Sequence, residues 1–389
     1  MPRRTALAIL AGLTCSAPLV SMTPLSVTQA AEPATKPASD VPASDVPSPD
    51  VFVGYVHGQA RDLNYSLYTH LCHAFVVAGE DGKLRPNKSV PDAAFAAKAH
   101  RHGVRVLLSL GGWGWDAQFA AIVLDREAET HFVQSVLQLV DDADYDGIDL
   151  DWEYPDSREE VPGFERLTRR LRAGLDAIAE RKGRPMQLTM ASAAHPQTLE
   201  WLSNEFLLET MDWVNVMTYD YAGGWAGFAG HNAPFTPSSK TPADKRHSVT
   251  TTFEYLLEKR GLPPERLALG LPLYGRAFSV PQPYADTTDT DDPGRSKTYL
   301  QSQELIAQGW TRTWDDETQT PWLTSPARHA VISYDDAESI RLKTRWARDR
   351  GLRGVFFWEV SQDRLPGGGN PLQEAARSVW GAFDVTGPR

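Results

Sequence analysis

Eight apolar runs of strand length, separated by stretches of helical period, constrain the fold of this chain more than any other feature. The runs are rich in Val, Leu, Ile and Phe with little polar alternation, which is typical of parallel strands covered on both faces. They are Val51–Val56, His70–Val77, Val104–Leu110, Asp146–Trp152, Met186–Ser192, Met211–Thr218, Leu267–Leu273 and Arg353–Glu359. Strand–helix repeats of this kind predict an α/β fold, here a (β/α)8 TIM barrel, with a doubly wound open sheet as the alternative.

One connection, between the seventh and eighth runs, is much longer than the others. It carries several aromatic residues and is too long for a structureless loop inside a compact domain. We therefore expect residues 277–330 to fold as a small subdomain. Because it follows a barrel strand, it should stand on the face of the barrel where active sites are built and form one wall of a groove.

The first 50 residues predict export followed by a linker. Arg3 and Arg4 precede an apolar stretch that is too short to span a membrane, and small residues near position 31 suit a cleavage site. We expect 1–31 to be a signal peptide, with a buried N-terminal helix as the alternative. The protein would then be secreted, extracellular or periplasmic, and free of the membrane. Residues 32–50, rich in Pro, Ala, Ser and Asp, predict an extended linker, which leaves 51–389 as the folded domain.

Composition narrows the range of partners. The formal net charge of −11 disfavours nucleic acid and anionic membranes and indicates a neutral or basic substrate. Only two cysteines are present, and Cys15 lies in the predicted signal, so Cys72 is expected to be a buried residue without a disulfide. No cluster of Cys and His has ligand spacing, so no metal and no other cofactor is expected.

The most informative segment is the run YDGIDLDWEYP, residues 145–155. Residues two apart on a strand share a face, so Asp149, Asp151 and Glu153 point the same way, with successive members about 6.6 Å apart. Like charges in a poorly solvated row raise one another's pKa values. At least one proton should therefore be shared, and Glu153 is expected to remain an acid near neutral pH. A solvated acidic edge and a D-x-D metal site are the alternatives, although no His joins the row.

The spacing Asp146-x-x-Asp149-x-Asp151-x-Glu153 resembles the signature of glycoside hydrolase family 18, the chitinases and their relatives. Four further stretches resemble strands of that family in the right order, over about residues 51–383: LLSLGGW (107–113), VMTYDYAGGW (216–225), GLPLYGRAF (270–278) and GVFFWEVSQD (354–363). The third of these precedes an α+β insertion in one chitinase subgroup. The chain therefore resembles bacterial family 18 chitinases with that insertion after the seventh strand.

The resemblance implies hydrolysis of β-1,4 linkages between N-acetylglucosamine units with retention of configuration. Family 18 is an exception to the usual two-carboxylate scheme, because the 2-acetamido group of the substrate attacks its own anomeric carbon and gives an oxazolinium ion. Glu153 would protonate the leaving oxygen and then act as the base on water. Asp151 would orient the acetamido N–H, and Asp149 would share the proton of Asp151.

The resemblance also implies roles for the neighbouring residues. Tyr55 and Ser109 would hydrogen-bond Asp149. Tyr219 would donate to the acetamido oxygen and Asp220 would contact the distorted sugar. The other implied substrate contacts are Met217 and Trp358 at the floor, and Phe75, Trp113, Tyr154, Trp225 and Arg276 along the groove.

The expected partner is chitin or a chito-oligosaccharide, and the expected state is a monomer. Two alternatives remain: an endo-β-N-acetylglucosaminidase that acts on N-glycans or peptidoglycan, and a non-catalytic chitin-binding lectin of the same fold. Lectin-like relatives lose the acid, whereas Glu153 is present. Lone histidines in loops are usually solvated, so no role is assigned to His57, His231 or His247.

Overall fold

The computed structural model describes residues 50–58, 62–153, 155, 157–195, 200–288 and 295–381. All of these belong to one compact unit, Ser48–Arg389. The predicted signal peptide, almost all of the predicted linker, and Tyr154 lie outside the described residues.

Eight parallel strands close into a barrel. In chain order they are β1 (Val51–His57), β2 (His70–Ala78), β4 (Arg105–Gly111), β5 (Gly147–Asp151), β6 (Gln187–Ala193), β7 (Trp213–Met217), β8 (Leu267–Pro272) and β14 (Gly354–Trp358). A two-residue strand, β3 (Leu84–Arg85), pairs antiparallel with the end of β2. The ring closes because β1 pairs with both β2 and β14. The predicted (β/α)8 barrel is therefore confirmed, with strand ends within two residues of the predicted runs, and the open-sheet alternative is wrong.

Helices surround the barrel. They are α1 (Ala93–Arg101), α2 (Asp116–Leu124), α3 (Arg126–Asp142), α4 (Glu160–Lys182), α5 (Asn204–Thr210) and α6 (Val249–Phe253), then α8 (Ala337–Asp349) and α9 (Pro371–Trp380). The longest, α4, buries a stripe that includes Phe164, Leu171 and Ile178, as its 3.6-residue period predicts. It ends at Gly183, whose φ of 66° suits a residue without a Cβ.

The long connection folds as a second sheet with one helix. Its elements are β9 (Tyr274–Phe278), β10 (Arg295–Thr298), α7 (Tyr299–Ala307), β11 (Thr311–Asp315), β12 (Thr320–Ser325) and β13 (Ala330–Ser333). The five strands are antiparallel, in the order β10-β9-β13-β12-β11. This is the α+β insertion expected between the seventh and eighth barrel strands, and its described elements extend slightly beyond the predicted 277–330. We call it the inserted sheet.

The two faces of each barrel strand pack into different clusters. Ile148, Leu150 and Trp152 of the β5 segment belong to the outer cluster that packs against the helices. Inside the barrel, buried side chains form a separate cluster that includes Tyr55, Cys72, Leu107, Trp213 and Phe356. Cys72 is a free, buried thiol. Within the described part of the chain, none of the helices combines the length and the apolar character needed to cross a bilayer.

Candidate active site

The three acids of the β5 segment lie on the interior face and differ in burial. Asp149 is completely buried and Asp151 is 4% exposed, whereas Glu153, just beyond the end of the strand, is only partly buried. This is the placement that a period of two predicts for residues 149, 151 and 153. The burial of the two aspartates contradicts the alternative of a solvated acidic edge.

Asp149 is held by four donated hydrogen bonds. Its Oδ2 accepts from the hydroxyls of Tyr55 and Ser109, both at 2.8 Å. Its Oδ1 accepts from the Thr189 hydroxyl at 2.6 Å and from Asn215 Nδ2 at 3.3 Å. Burial raises the pKa of Asp149, and the donated bonds act in the opposite direction because they favour the carboxylate. The resemblance implied the bonds from Tyr55 and Ser109, but it did not point to Thr189 or Asn215.

Asp151 is the next acid of the row toward the groove, and among the described residues its carboxyl is less well hydrogen-bonded than that of Asp149. Its Oδ1 is buried and accepts no hydrogen bond from the residues that the structure describes. Burial raises its pKa well above the usual range, and the charges of Glu153 and Asp149 raise it further. A buried acceptor without a partner costs about 1–3 kcal/mol. The carboxyl of Asp151 is therefore a group whose hydrogen bonding a ligand can complete.

Glu153 is the outermost acid of the row and lines the groove. Burial, followed by the charges of Asp116 and Asp220, raises its pKa from 4.5 to about 7. A carboxyl with such a pKa is protonated in a large fraction of molecules at neutral pH, and its conjugate base is equally accessible. This matches the requirement for a general acid that later serves as a base. The sequence did not indicate Asp116, which begins α2.

Tyr219 and Asp220 occupy a tight turn at the end of β7. Asp220 has a φ of 58°, a left-handed conformation that few residues other than glycine adopt. Its Oδ1 accepts from Arg276 Nε at 2.8 Å and Nη2 at 2.6 Å. The Tyr219 ring meets Tyr274 edge-on, with centroids 6.1 Å apart. Burial raises the pKa of Tyr219 well above 10, so its hydroxyl stays protonated and able to donate.

A groove of about 1320 Å³ opens above these residues. Trp358 stacks on Phe75 at its floor, with ring centroids 5.5 Å apart. Trp113 and Trp225 stand on its walls, 81% and 63% exposed, and the Arg276 guanidinium lies 5.0 Å from the Trp225 ring. The other predicted site residues that line the groove are Tyr55, Asp151, Glu153, Met217, Tyr219 and Asp220. Asp149 and Ser109 lie beneath the groove, fully buried.

One of the three loop histidines differs from expectation, whereas His57 is exposed as predicted. His231 is buried, not solvated, with Nδ1 3.1 Å from Ser333 Oγ and Nε2 3.6 Å from Asp315. His195 and His247 lie on the groove with ring centroids 4.1 Å apart. Burial, together with the neighbouring His247, lowers the pKa of His195. Isolated histidines in loops gave no signal for any of these contacts.

Across the described ranges, no three His, Cys, Asp or Glu side chains are grouped so that they could hold an ion. The carboxylates of the β5 row are occupied by hydroxyl and amide donors or face the groove.

Comparison with known proteins decides the family. Residues 51–363 match the sequence model described as "Glycosyl hydrolases family 18". The chain belongs to family 18 of the glycosyl hydrolases. This confirms the family resemblance drawn from the motifs, and the chain is a glycoside hydrolase of the chitinase type.

The chain is similar to several chitinases. It is 29% identical to Chitinase B of Serratia marcescens, with 79% of this chain and 74% of that protein covered. It is 30% identical to Chitinase A1 of Niallia circulans over 73% of this chain, and it spans 46% of that longer protein. Among solved structures, a mutant GH18 chitinase from Cycas revoluta in complex with (GlcNAc)4 is 29% identical, with a TM-score of 0.74, and 85% of this chain and all of that one are covered.

Proposed function

We propose that this protein is a secreted chitinase that cleaves β-1,4 linkages between N-acetylglucosamine units with retention of configuration. One observation carries the proposal: a row of three acids of decreasing burial rises along one strand and ends, at Glu153, in a groove walled by exposed tryptophans. The relatives named above are called chitinases, which supports chitin as the substrate.

Glu153 supplies the proton. With a pKa of about 7 it donates to the glycosidic oxygen as the bond to the anomeric carbon breaks, and the leaving sugar departs as an alcohol. The resulting carboxylate then takes a proton from the attacking water. One group therefore serves both halves of the reaction and returns to its starting state.

The acetamido group of the substrate supplies the nucleophile. Its carbonyl oxygen attacks the anomeric carbon and closes an oxazolinium ring, which water opens from the same face as the departed sugar. Asp151, whose Oδ1 accepts no bond from the described residues, is suited to accept the acetamido N–H and to stabilise the positive charge. Tyr219 keeps its proton and is suited to donate to the acetamido oxygen.

Asp149 limits the negative charge that is buried beneath the oxazolinium ion. Four donors hold its carboxyl in one orientation directly below Asp151. When Asp151 ionises beneath the oxazolinium ion, a proton shared with Asp149 spares the site a second buried negative charge. Asp149 acts in this scheme without touching the sugar.

The groove suits a neutral polysaccharide. Trp358 and Phe75 present ring faces at the floor, and Trp113 and Trp225 present large exposed surfaces to sugars farther from the cleaved bond. Sugar rings stack on such surfaces through their apolar C–H faces. The basic start and apolar stretch within residues 1–31 support export, which would bring the enzyme to chitin outside the cell.

The test is Glu153→Gln, assayed on chitohexaose with chromatographic analysis of the products. The amide cannot donate the required proton, so we expect turnover to fall on the order of 10²- to 10⁴-fold while oligosaccharide binding persists. Glu129→Gln is the matched control, because Glu129 is a buried glutamate that pairs with Arg166 and Arg170 away from the groove. Turnover of Glu153→Gln close to that of the control would contradict the assignment.

A further inference from the structure

The turn that carries Tyr219 and Asp220 is secured by a residue that lies outside the motifs. Asn232, in the loop between β7 and α6, is 1% exposed. Its Oδ1 accepts from the backbone N–H of Asp220 at 3.1 Å, and its backbone oxygen accepts from Tyr221 N at 3.0 Å. Asn232 therefore bonds the chain on either side of the left-handed Asp220.

The remaining bonds of Asn232 run to the inserted sheet. Its Nδ2 donates to the backbone oxygen of Tyr274 at 3.2 Å, and its backbone N–H donates to Ser333 Oγ at 2.7 Å. Tyr274 lies on β9 and Ser333 on β13, and these strands pair with Ser333 opposite Arg276. The same strand pair thus holds Asp220 twice, through the side chain of Arg276 and through Asn232.

A buried ion pair fixes the next residue along the loop. Lys343 Nζ on α8 donates to the backbone oxygen of Ala233 and to Asp335 Oδ1, both at 2.6 Å. Lys343 is fully buried and Asp335 is 2% exposed. A buried charge pair with short, direct bonds defines a single geometry for the backbone that it contacts. The segment of Asn232 is therefore held from two sides.

We propose that Asn232 is a positioning residue for the reaction. It holds Asp220 in its left-handed conformation and thereby places the neighbouring Tyr219 in the groove at the same level as Asp151 and Glu153. The inserted sheet then has a mechanistic function besides walling the groove, because its strands β9 and β13 orient Asn232. The inference rests on the proposed function through the roles of Tyr219 and Asp220.

The first test compares Asn232→Ala with Asn370→Ala. Asn370 is also buried and donates through Nδ2 to Asp363 at 2.9 Å, but it lies at the start of α9, outside the turn. We expect Asn232→Ala to lower kcat for chitotetraose about 10- to 100-fold, because misplacement of about 1 Å has effects of that size. KM should change less than about threefold, since the tryptophans of the outer groove still bind. Equal kcat values for the two variants would overturn the inference.

The second test uses Asn232→Asp and the pH dependence of turnover. When protonated, the introduced carboxyl can still accept from Asp220 N–H and donate to Tyr274 O, whereas the carboxylate cannot donate. The charged and titratable groups around it are Asp220, Tyr221, His231, Tyr274, Arg276, Asp335 and Lys343. We expect kcat relative to the natural enzyme to fall as pH rises from about 5 to about 8. A ratio that is flat across this range would overturn the inference, and this readout decides the matter should Asn232→Ala fail to fold.

Failure of the proposed function and failure of the positioning role of Asn232 give different experimental results. If the natural enzyme leaves chitotetraose intact, the proposed function is wrong, and the crystal structure of Asn232→Ala then tests the positioning claim without turnover. A displaced turn, with Asp220 outside the left-handed region, supports the inference. An unmoved Asp220 overturns it.

Discussion

The three acids of the β5 segment have three different environments, and the environment of each determines its chemistry. Asp149 receives four hydrogen bonds, Asp151 has a buried oxygen without a partner among the described residues, and Glu153 opens to the groove. The same functional group, a carboxyl, can thus serve as a rigidly held residue at the buried end of the row, as an acceptor for the substrate and as a proton donor.

The raised pKa of Glu153 has a consequence for stability. A folded-state pKa of about 7 against 4.5 means that the folded protein binds the proton more tightly than the unfolded chain. The free energy of unfolding therefore decreases as pH rises between these values, and it stays lower above them. Glu153→Gln avoids this loss, so we expect it to exceed the natural protein by about 1–3 kcal/mol at about pH 8 and by little at about pH 4.

Urea denaturation at the two pH values measures this difference. Glu129→Gln serves as the control, because it weakens the ion pairs of a buried glutamate with Arg126, Arg166 and Arg170 and should destabilise the protein at neutral pH. A Glu153→Gln protein that is less stable than the natural one at about pH 8 would show that burial does not disfavour the charged form of Glu153.

At the scale of the elements, strand register brings the hydroxyl donors to Asp149. Ser109 on β4 pairs with Asp149 on β5, and Asp149 pairs with Thr189 on β6. Paired residues of parallel strands point to the same side, so the three side chains meet inside the barrel. The sequence could predict the strands and their inward faces from apolar runs and alternation. It could not predict which inward residues lie side by side, because register depends on packing around the whole barrel.

Contacts between distant segments also explain why the sequence motifs did not identify Thr189, Asn215 and Asn232. Asn215 is a polar residue in the otherwise apolar β7, and Thr189 is one of three polar residues in β6. Each suggests an interior role that becomes specific only when Asp149 is known to lie beside it. Asn232 lies in a loop, where polar residues are common, so its pattern carried no signal. Local motifs found the acids, whereas contacts between distant segments required the structure.

Thr189→Val tests the contribution of this register. The substitution keeps the volume but removes the 2.6 Å bond to Asp149, so we expect a loss of about 1–2 kcal/mol in the free energy of unfolding and a further raised pKa of Asp149. The matched control is Thr168→Val in α4, where the buried hydroxyl has no hydrogen-bond partner among the described residues and the change should be neutral or stabilising. Equal destabilisation of the two variants in urea would contradict the prediction.

At the scale of the whole molecule, an acidic barrel presents a long aromatic groove to an uncharged polymer. The net charge of −11 does not oppose such a substrate, whereas it would repel a polyanion. Composition and motifs were sufficient to predict this class of partner. The exposed faces of Trp113 and Trp225 became evident only when the loops after β4 and β7 were placed on one rim.

These two tryptophans should matter more for long substrates than for short ones. We expect Trp113→Ala and Trp225→Ala each to raise KM for chitohexaose about 3- to 30-fold, with a smaller effect on chitotriose, because stacking on outer sugars is lost. Leu124→Ala, which removes an exposed apolar side chain outside the groove, is the control and should leave KM unchanged. Steady-state kinetics with oligomers of both lengths provide the comparison. If KM for the two substrates changed equally, the tryptophans would not be stacking on the outer sugars of the bound oligosaccharide.

The central claim is that the acetamido group of the substrate, not a protein carboxylate, attacks the anomeric carbon above Asp151. The most direct measurement is mass spectrometry of products from partially deacetylated chitin oligomers, which identifies the sugar at each new reducing end. If the claim holds, every new reducing end carries N-acetylglucosamine, because only that sugar can close the oxazolinium ring. New reducing ends that carry glucosamine in proportion to its abundance in the substrate would contradict it.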